Sequence, residues 1–266
     1  MERFQYDQVE VVKLPVNPLF PLMAVYLFFV DGLLVDTGPS IQRRRLIPVF
    51  QSLAIEHVAV THHHEDHSGM ASWLARHFEA DIYVNRKGMG IAEKPARIPW
   101  YRSLFSGRRL AFQAKPYPKV IETSNLRFYP IHTPGHTSDH ICLYEPDKGW
   151  LFSGDLYITP YPKVFLKNES IAGYIQTLRE LKSLDYDTVF CGHEGVISNG
   201  KNMMNEKLVY LENTRDEVFR LHRAGFDDRT IMKKMFPKQV KLEQLSFGTF
   251  SRLHLIRSCY REPEEV

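Results

Sequence analysis

The sequence predicts a mixed α/β domain followed by a helical extension, and three observations carry that reading. Over the first two-thirds of the chain, short runs rich in Val, Ile, Phe and Tyr alternate with stretches of helical spacing. After about residue 200 the pattern changes to amphipathic helices without strand-like runs. The polar clusters of the first part fall where strand-like runs end, a common position for functional groups. The expected division is a domain over residues 1–200 and a helical extension over 201–266.

The elements follow in order. VEVVKLPV, AVYLFFV and LLVDTG read as strands, with Asp31-Gly32 joining the last two as a tight hairpin. IQRRRLIPVFQSL has helical spacing of Ile41, Leu46, Val49 and Leu53, with Pro48 as a point of interruption. The strand HVAVTH, a helix from about Ser68 to Phe78 and the strand DIYVN come next. Residues 86–118 break the rhythm. They mix basic residues, aromatics and four prolines, and read as an insertion over the surface with helix near 100–112. KVIE, LRFYPIHT, ICLYEPDKGWLFSG and DTVFCGH add short strands, and the amphipathic helix SIAGYIQTLRELKSL precedes the last. In the tail, NEKLVYLENTRDEVFRLHRAG ends at a C-capping Gly225. Asp227 or Asp228 can cap RTIMKKMF, which Pro237 stops, and LEQLSFGTFSRLHLIRSCY reads as one further helix.

Bulk properties narrow the class. At 44% hydrophobic and 24% charged, the chain is neither disordered nor fibrous. A net charge of +3 does not predict nucleic-acid binding. Three widely spaced cysteines, Cys142, Cys191 and Cys259, without a CxxC pair, argue against a disulfide framework or a thiolate zinc site. MERFQYDQVE lacks the basic start and apolar run of a signal peptide, so a cytoplasmic location is expected. The most apolar stretch, LFPLMAVYLFFV, has only twelve residues and contains Pro21. It reads as a buried strand and not as a membrane span.

The chemistry concentrates in THHHEDHSG, residues 61–69, with four histidines and two carboxylates. Burying so many polar groups unpaired would be costly. His62 and His64, two apart in extended backbone, point the same way, while His63 points away. Asp66 and His67 stand at the first helical turn and can face a second position beside the first, so two adjacent ligand pairs suggest two adjacent metals. Gly69 lets the backbone pass close to whatever occupies the site. A metal needs more donors than one loop supplies. His136 in IHTPGHTSDH, Asp155 in LFSGDLY and His193 in VFCGHEG each stand at a strand end. Asp36 in LLVDTG stands at another, where it could orient the ligand loop.

The order VDTG, THHHEDHSG, TPGHTSD, SGDLY, CGHEG resembles the metallo-β-lactamase superfamily of hydrolases, whose hallmark is HxHxDH, over roughly residues 10–200. The resemblance implies a four-layer αββα sandwich with the site at one edge. It implies that His62, His64 and His136 hold one metal and that Asp66, His67 and His193 hold the other, with Asp155 bridging both. It also implies two divalent ions, zinc first and manganese or iron as alternatives. A metal-bridging hydroxide would then attack a carbonyl or phosphoryl centre, with Asp66 accepting or positioning a proton. No GxSxG elbow suggests a serine nucleophile.

Within that resemblance the letters discriminate further. A redox di-iron relative would carry glutamate at the position of His64, and single-iron persulfide oxidisers keep only part of the ligand set. Antibiotic-cleaving relatives are usually exported. THHHEDHSG and CGHE are similar to hydroxyacylglutathione hydrolases, but a tyrosine that commonly follows CGHE there is Gly195 here. TPGHTSDHICLY and a helical tail are closer to the lactamase-like endoribonuclease group. The expected function is hydrolysis of a small ester, thioester or lactone. The alternatives are a metal-dependent endoribonuclease or phosphodiesterase, and a non-catalytic binding module stabilised by metal. A small-molecule substrate is expected, RNA is not favoured, no membrane is involved, and a homodimer stays open. Arg97, Arg102, Arg108 and Arg109, interleaved with Trp100, Tyr101 and Phe105, would serve either RNA or a lid over an acyl chain. His57, His63, His77, His132, His140, His222 and His254 are read as structural and Glu65 as solvated.

Overall fold

The computed structural model describes residues 1–260, and the chain falls into two compact units. The first comprises residues 1–132, 139–155 and 186–198; the second comprises 133–138, 156–185 and 199 onward.

In the first unit, β1 (Glu2–Tyr6), β2 (Val9–Pro15), β3 (Ala24–Val30), β4 (Leu33–Val35), β5 (His57–Ala59), β6 (Asp81–Val84) and β7 (Lys115–Pro116) form one seven-stranded sheet in that spatial order. The first four strands pair antiparallel and the last pairings are parallel. The second sheet has six strands: β8 (Ile121–Glu122), β9 (Arg127–His132), β10 (Ile141–Glu145), β11 (Trp150–Gly154), β12 (Thr188–Cys191) and β13 (Gly195–Ile197), in the order β13-β12-β11-β10-β9-β8. Helices α1 (Arg43–Gln51), α2 (Glu65–Ser68), α3 (Ala71–His77), α4 (Met89–Ala92) and α5 (Trp100–Ser106) complete this unit.

Strand alternation explains how the seven-stranded sheet is buried on both faces. Val9 and Val11 of β2, with Phe28 and Val30 of β3, point into a core shared with Phe128, Leu143, Phe152 and Phe190 of the six-stranded sheet. There Phe152 and Phe190 stack at 4.5 Å, and Phe28 meets both rings edge-on. Val12, Leu14, Val25 and Leu27 point the other way and pack with Leu46, Val49 and Phe50 of α1 and Leu74 of α3. Helices therefore cover one sheet and the two sheets pack face to face, as expected of the mixed α/β class.

Local chemistry sets several boundaries. Asp31 and Gly32 both have positive φ (47° and 84°), as a two-residue hairpin between β3 and β4 requires. Pro48 lies inside α1 without ending it. The stretch expected as one helix from Ser68 to Phe78 contains α3, and Gly69 and Met70 separate it from α2, which ends at Ser68. Strand β1 had no clear alternation in the sequence; its side chains are largely exposed, and pairing with β2 alone defines it.

The second unit holds α6 (Ile171–Leu181), α7 (Gly200–Arg223), α8 (Asp228–Met235), α9 (Lys241–Leu245) and α10 (Arg252–Ser258). Ser170 caps α6 by accepting from Gly173 N–H, and Asp227 caps α8 by accepting from Thr230 N–H. Helix α7 stops before Gly225, whose φ is +87°. The last helix expected from the sequence is two, since Phe247 and Gly248 both adopt positive φ. Arg252 rejoins the pieces by pairing with Glu243 (2.7 Å) and donating to the carbonyl of Phe236 (2.8 Å). Among the described residues, no helix is long and apolar enough to cross a membrane. All three cysteines are buried and unbonded to one another.

Candidate metal centre

The HHHEDH segment leaves β5 and turns into α2, so its side chains gather at the strand's end. Hydrogen bonds of Asp36, Thr37 and Ser68 fix it. Asp36, in the left-handed region at φ 60°, accepts from Thr61 N–H (2.8 Å) and Thr61 Oγ1–H (2.9 Å). Its other contact is His67 Nδ1 at 2.7 Å. Thr37 donates through N–H and Oγ1–H to the carbonyl of His67. Ser68 Oγ–H is within donating distance of the carbonyls of His63 and His64. Asp36, expected to orient the ligand loop, is in direct contact with it.

The remaining donors arrive on the six-stranded sheet. Asp155 follows β11 and His193 follows β12, and these strands are parallel neighbours, so both residues emerge at the same sheet end. Gly192, just before His193, sits where a Cβ would come within 2.7 Å of His67 Cε1 and 3.0 Å of Asp155 Oδ1. Only hydrogen fits between the two side chains at that point. Gly69 answers to a different neighbour than expected: a Cβ there would meet the carbonyl of Gly38 and the amide of Ser40, not the site.

In the first unit His62, His64 and Asp155 offer donor atoms within 4.8 Å of one another, and so do Asp66, His67 and His193. His62 Nε2 is 2.9 Å from His64 Nδ1 and 3.8 Å from Asp155 Oδ2. His67 Nε2 is 3.2 Å from Asp155 Oδ1, and His193 Nε2 is 3.3 Å from Asp155 Oδ2 and 3.6 Å from Asp66 Oδ2. Asp155 therefore lies against both sets. His136 stands on the turn of residues 133–138 and belongs to the second unit. It is buried there, with Nδ1 3.7 Å from Glu169 Oε2, and Glu169 in turn accepts from Tyr174 O–H (2.9 Å).

The tautomers decide what this cluster is suited to hold. His193 Nδ1 lies 2.6 Å from the carbonyl of Ala24, which can only accept, so that nitrogen carries the proton. His67 Nδ1 likewise faces the Asp36 carboxylate. In neutral rings both Nε2 atoms are then bare lone pairs, 3.4 Å apart and aimed at carboxylate oxygens. Such an arrangement calls for positive charge at its centre, from protons or from a cation. Burial opposes charging His193, yet Asp155 and then Asp66 push it up to about 9. Burial likewise opposes charging His67, and Asp155 and Asp36 override it and hold the ring well above its usual range. Burial would raise Asp155, but His193 and His67 hold it well below the usual carboxylate range. Imidazole and carboxylate donors of this kind fit divalent ions such as zinc, manganese or iron.

Three side chains read as bystanders in the sequence are part of the support. Glu65 is not solvated: it is buried, burial raises its pKa, and Arg102 of α5 pairs with it at 2.8 Å. The two are 37 residues apart, so no local pattern announces the pair. His63, facing away from His62 and His64 as expected, contacts the buried Asp139 at 2.8 Å. His140 Nε2 accepts from Asp155 N–H at 3.1 Å. The next residue, Ile141, donates its N–H to the carbonyl of Thr61 at 2.9 Å. Three consecutive residues of TSDHI thus brace the loop and the aspartate together. Of the expected insertion arginines, Arg109 is also buried, donating to the carbonyl of Ile91 at 3.0 Å. It is an internal strut and not part of a surface stripe.

Comparison with known proteins gives the family. The family model of the metallo-beta-lactamase superfamily matches residues 26–193. The chain belongs to that superfamily. A hydroxyacylglutathione hydrolase from Legionella pneumophila is 30% identical over 169 residues, covering 63% of this chain and 59% of that protein. An atrochrysone carboxyl ACP thioesterase from Aspergillus fumigatus is 28% identical over 184 residues, covering 67% of this chain and 52% of that one. The chain thus spans little more than half the length of these two curated relatives. The crystal structure of a beta-lactamase domain protein from Burkholderia ambifaria superposes with a TM-score of 0.72 at 18% identity, covering 96% of this chain and 86% of that one. That likeness supports the mixed α/β superfamily fold with its added C-terminal helices.

Proposed function

We propose that this superfamily member is a dinuclear metal-dependent hydrolase of a small ester, thioester or lactone. The observation that carries the reading is the convergence of bare imidazole nitrogens and carboxylate oxygens on Asp155, with the outer nitrogens of His67 and His193 already engaged. In this reading His62, His64 and His136 hold one ion, Asp66, His67 and His193 hold the other, and Asp155 serves both. Zinc is the metal best matched to the donors. Bound there, two such ions would lower the pKa of a water toward neutrality and polarise the oxygen of the scissile group.

The chain's own residues do the rest. Asp36 and the carbonyl of Ala24 hold His67 and His193 in the tautomer whose Nε2 faces inward. Asp66 is the most exposed of the three carboxylates (13%, against 4% for Asp155 and 3% for Asp36), which supports assigning it the proton of the attacking water. Thioester cleavage agrees with the named activities of two relatives. Gly195 argues against glutathione itself: a Cβ there would lie 2.6 Å from the Tyr26 ring, so no side chain can extend from that position. The buried Arg109 and the paired Arg102 take two arginines from any RNA-binding stripe.

A panel of simple thioesters, esters and lactones, run beside single-stranded RNA, tests the proposal. Turnover of one of the carbonyl substrates that is lost on chelation and restored by added zinc is expected. Cleavage of RNA alone would overturn it.

A further inference from the structure

Helix α7 carries a lysine where its apolar stripe calls for a hydrophobic residue. Met204, Leu208, Leu211 and Val218 are buried along one face of the helix, and Lys207 stands among them with 2% of its surface in solvent. An ammonium buried that deeply has lost its hydration, and lysine is almost never found there without partners. Two partners answer it. Lys207 Nζ donates to the carbonyl of Leu156 at 2.6 Å, and it lies 4.4 Å from the centre of the Tyr174 ring in a cation–π contact. An apolar side chain of the same length would fill the space without that loss of hydration, so packing alone does not account for the charge.

Both partners lead to segments that carry metal donors. Leu156 directly follows Asp155 in the chain. Tyr174 of α6 donates its O–H to Glu169 Oε2 at 2.9 Å, and that same oxygen lies 3.7 Å from His136 Nδ1. Glu169 Oε1 accepts from Leu166 N–H at 2.9 Å, so the carboxylate is held at both oxygens. The turn bearing His136 is bonded to the same stretch. The Gly135 carbonyl accepts from Ser170 N–H, and the Pro134 carbonyl accepts from Thr177 Oγ1–H, both at 2.8 Å. One buried ammonium thus backs the residue after Asp155 and, through Tyr174 and Glu169, the side chain of His136.

We propose that Lys207 is a positioning residue for the ion assigned to His62, His64 and His136, which makes the first helix of the C-terminal extension part of what holds that ion. The inference rests on the dinuclear reading above. In that reading one ion takes both His136 and Asp155, and the other takes only Asp155 from the segments that Lys207 supports. Loss of the ammonium therefore weighs on the first ion. Without it the Leu156 carbonyl loses its donor and the Tyr174 ring loses the charge against its face. Asp155 and, through Glu169, His136 are then held less closely.

The test is calorimetric titration of the metal-free full chain with zinc, comparing wild type with Lys207→Met, Tyr174→Phe and Lys201→Met. Lys207→Met keeps the hydrocarbon stem and removes the donor, and Tyr174→Phe keeps the ring and removes the O–H. Lys201→Met is the control for a purely structural loss: Lys201, also on α7, donates to the Leu184 carbonyl at 2.6 Å, in a segment that carries no metal donor. Wild type is expected to bind two ions. One of them should bind about 10–100-fold more weakly in Lys207→Met, the range typical of losing an orienting partner, and the same ion should weaken in Tyr174→Phe. Lys201→Met should bind both as wild type does, whatever its thermal midpoint. Two backgrounds identify the affected ion. In His193→Ala, which leaves the His64 set, the effect of Lys207→Met should persist, and in His64→Ala, which leaves the His193 set, it should be small. Wild-type affinities in both Lys207→Met and Tyr174→Phe, an equal loss in the two backgrounds, or the same loss in Lys201→Met would overturn the proposal. Should Lys207→Met not fold, Tyr174→Phe in the same backgrounds decides alone. Wild type that binds fewer than two ions would bring down the dinuclear reading and this inference with it, whereas two ions bound normally by every variant would bring down this inference alone.

Discussion

Asp66→Ala is expected to lower kcat by about 10²–10⁴-fold, the range typical of losing a positioned proton acceptor, while the protein stays folded. The two halves of that expectation come from the same feature. Asp66 lies 3.6 Å from His193 Nε2 and its side chain keeps 13% of its surface in solvent. For the same reason its removal leaves no cavity in either core cluster. Unchanged circular dichroism and thermal midpoint with collapsed turnover would agree with a catalytic carboxylate. Intact function in this variant would instead favour the reading of a binding module that uses metal only for stability. Retained kcat with a raised KM would make Asp66 a substrate contact and remove it from the proton's path.

The second large effect is expected at Asp36, which stands outside both sets of donors. Its carboxylate satisfies Thr61 N–H, Thr61 Oγ1–H and His67 Nδ1 at once. Asn in its place has one acceptor and one donor end. With the donor end toward His67, Nδ1 must become the acceptor, the ring proton moves to Nε2, and the inward lone pair disappears. With the amide turned round, the donor end meets the N–H of Thr61. Either arrangement costs one of the buried contacts, about 1–3 kcal/mol. Metal affinity should fall about 10–100-fold, as is typical for the loss of an orienting partner. Asp36→Ala should be worse for stability, by about 3–5 kcal/mol, because it leaves buried polar groups unpaired around His67. Isothermal titration with zinc and urea unfolding of the metal-free protein would separate the two effects. Wild-type zinc affinity in Asp36→Asn would show that the tautomer of His67 is set by something else.

The sequence made the donor set legible because each donor stands where a strand ends. Short apolar runs followed by Asp-Thr-Gly, Gly-Asp or Gly-His are local signals, and β4, β11 and β12 do deliver Asp36, Asp155 and His193 to the cluster. The Asp31-Gly32 turn, the stop at Gly225 and the cap at Asp227 were legible for the same reason, since one residue's backbone preference decides each. What could not be read were pairings across the chain. Glu65 looks solvated in HHHEDH until Arg102 folds against it, and the contact of His63 with Asp139 spans 76 residues. Asn17 gives no local sign that it ties the loop after β2 to α5. The break between α9 and α10 was hidden too, because Phe247 is a poor candidate for positive φ and the helical spacing runs straight through it.

The most direct test of the central claim is the metal content of the protein purified without added ions, measured by elemental analysis against protein concentration. The two sets of donors predict two divalent ions per chain, removable by a strong chelator with loss of hydrolysis and recovered, ion and activity together, on adding zinc back. Protein that carries no divalent ion, takes none up at micromolar zinc and still turns over its substrate would contradict the account.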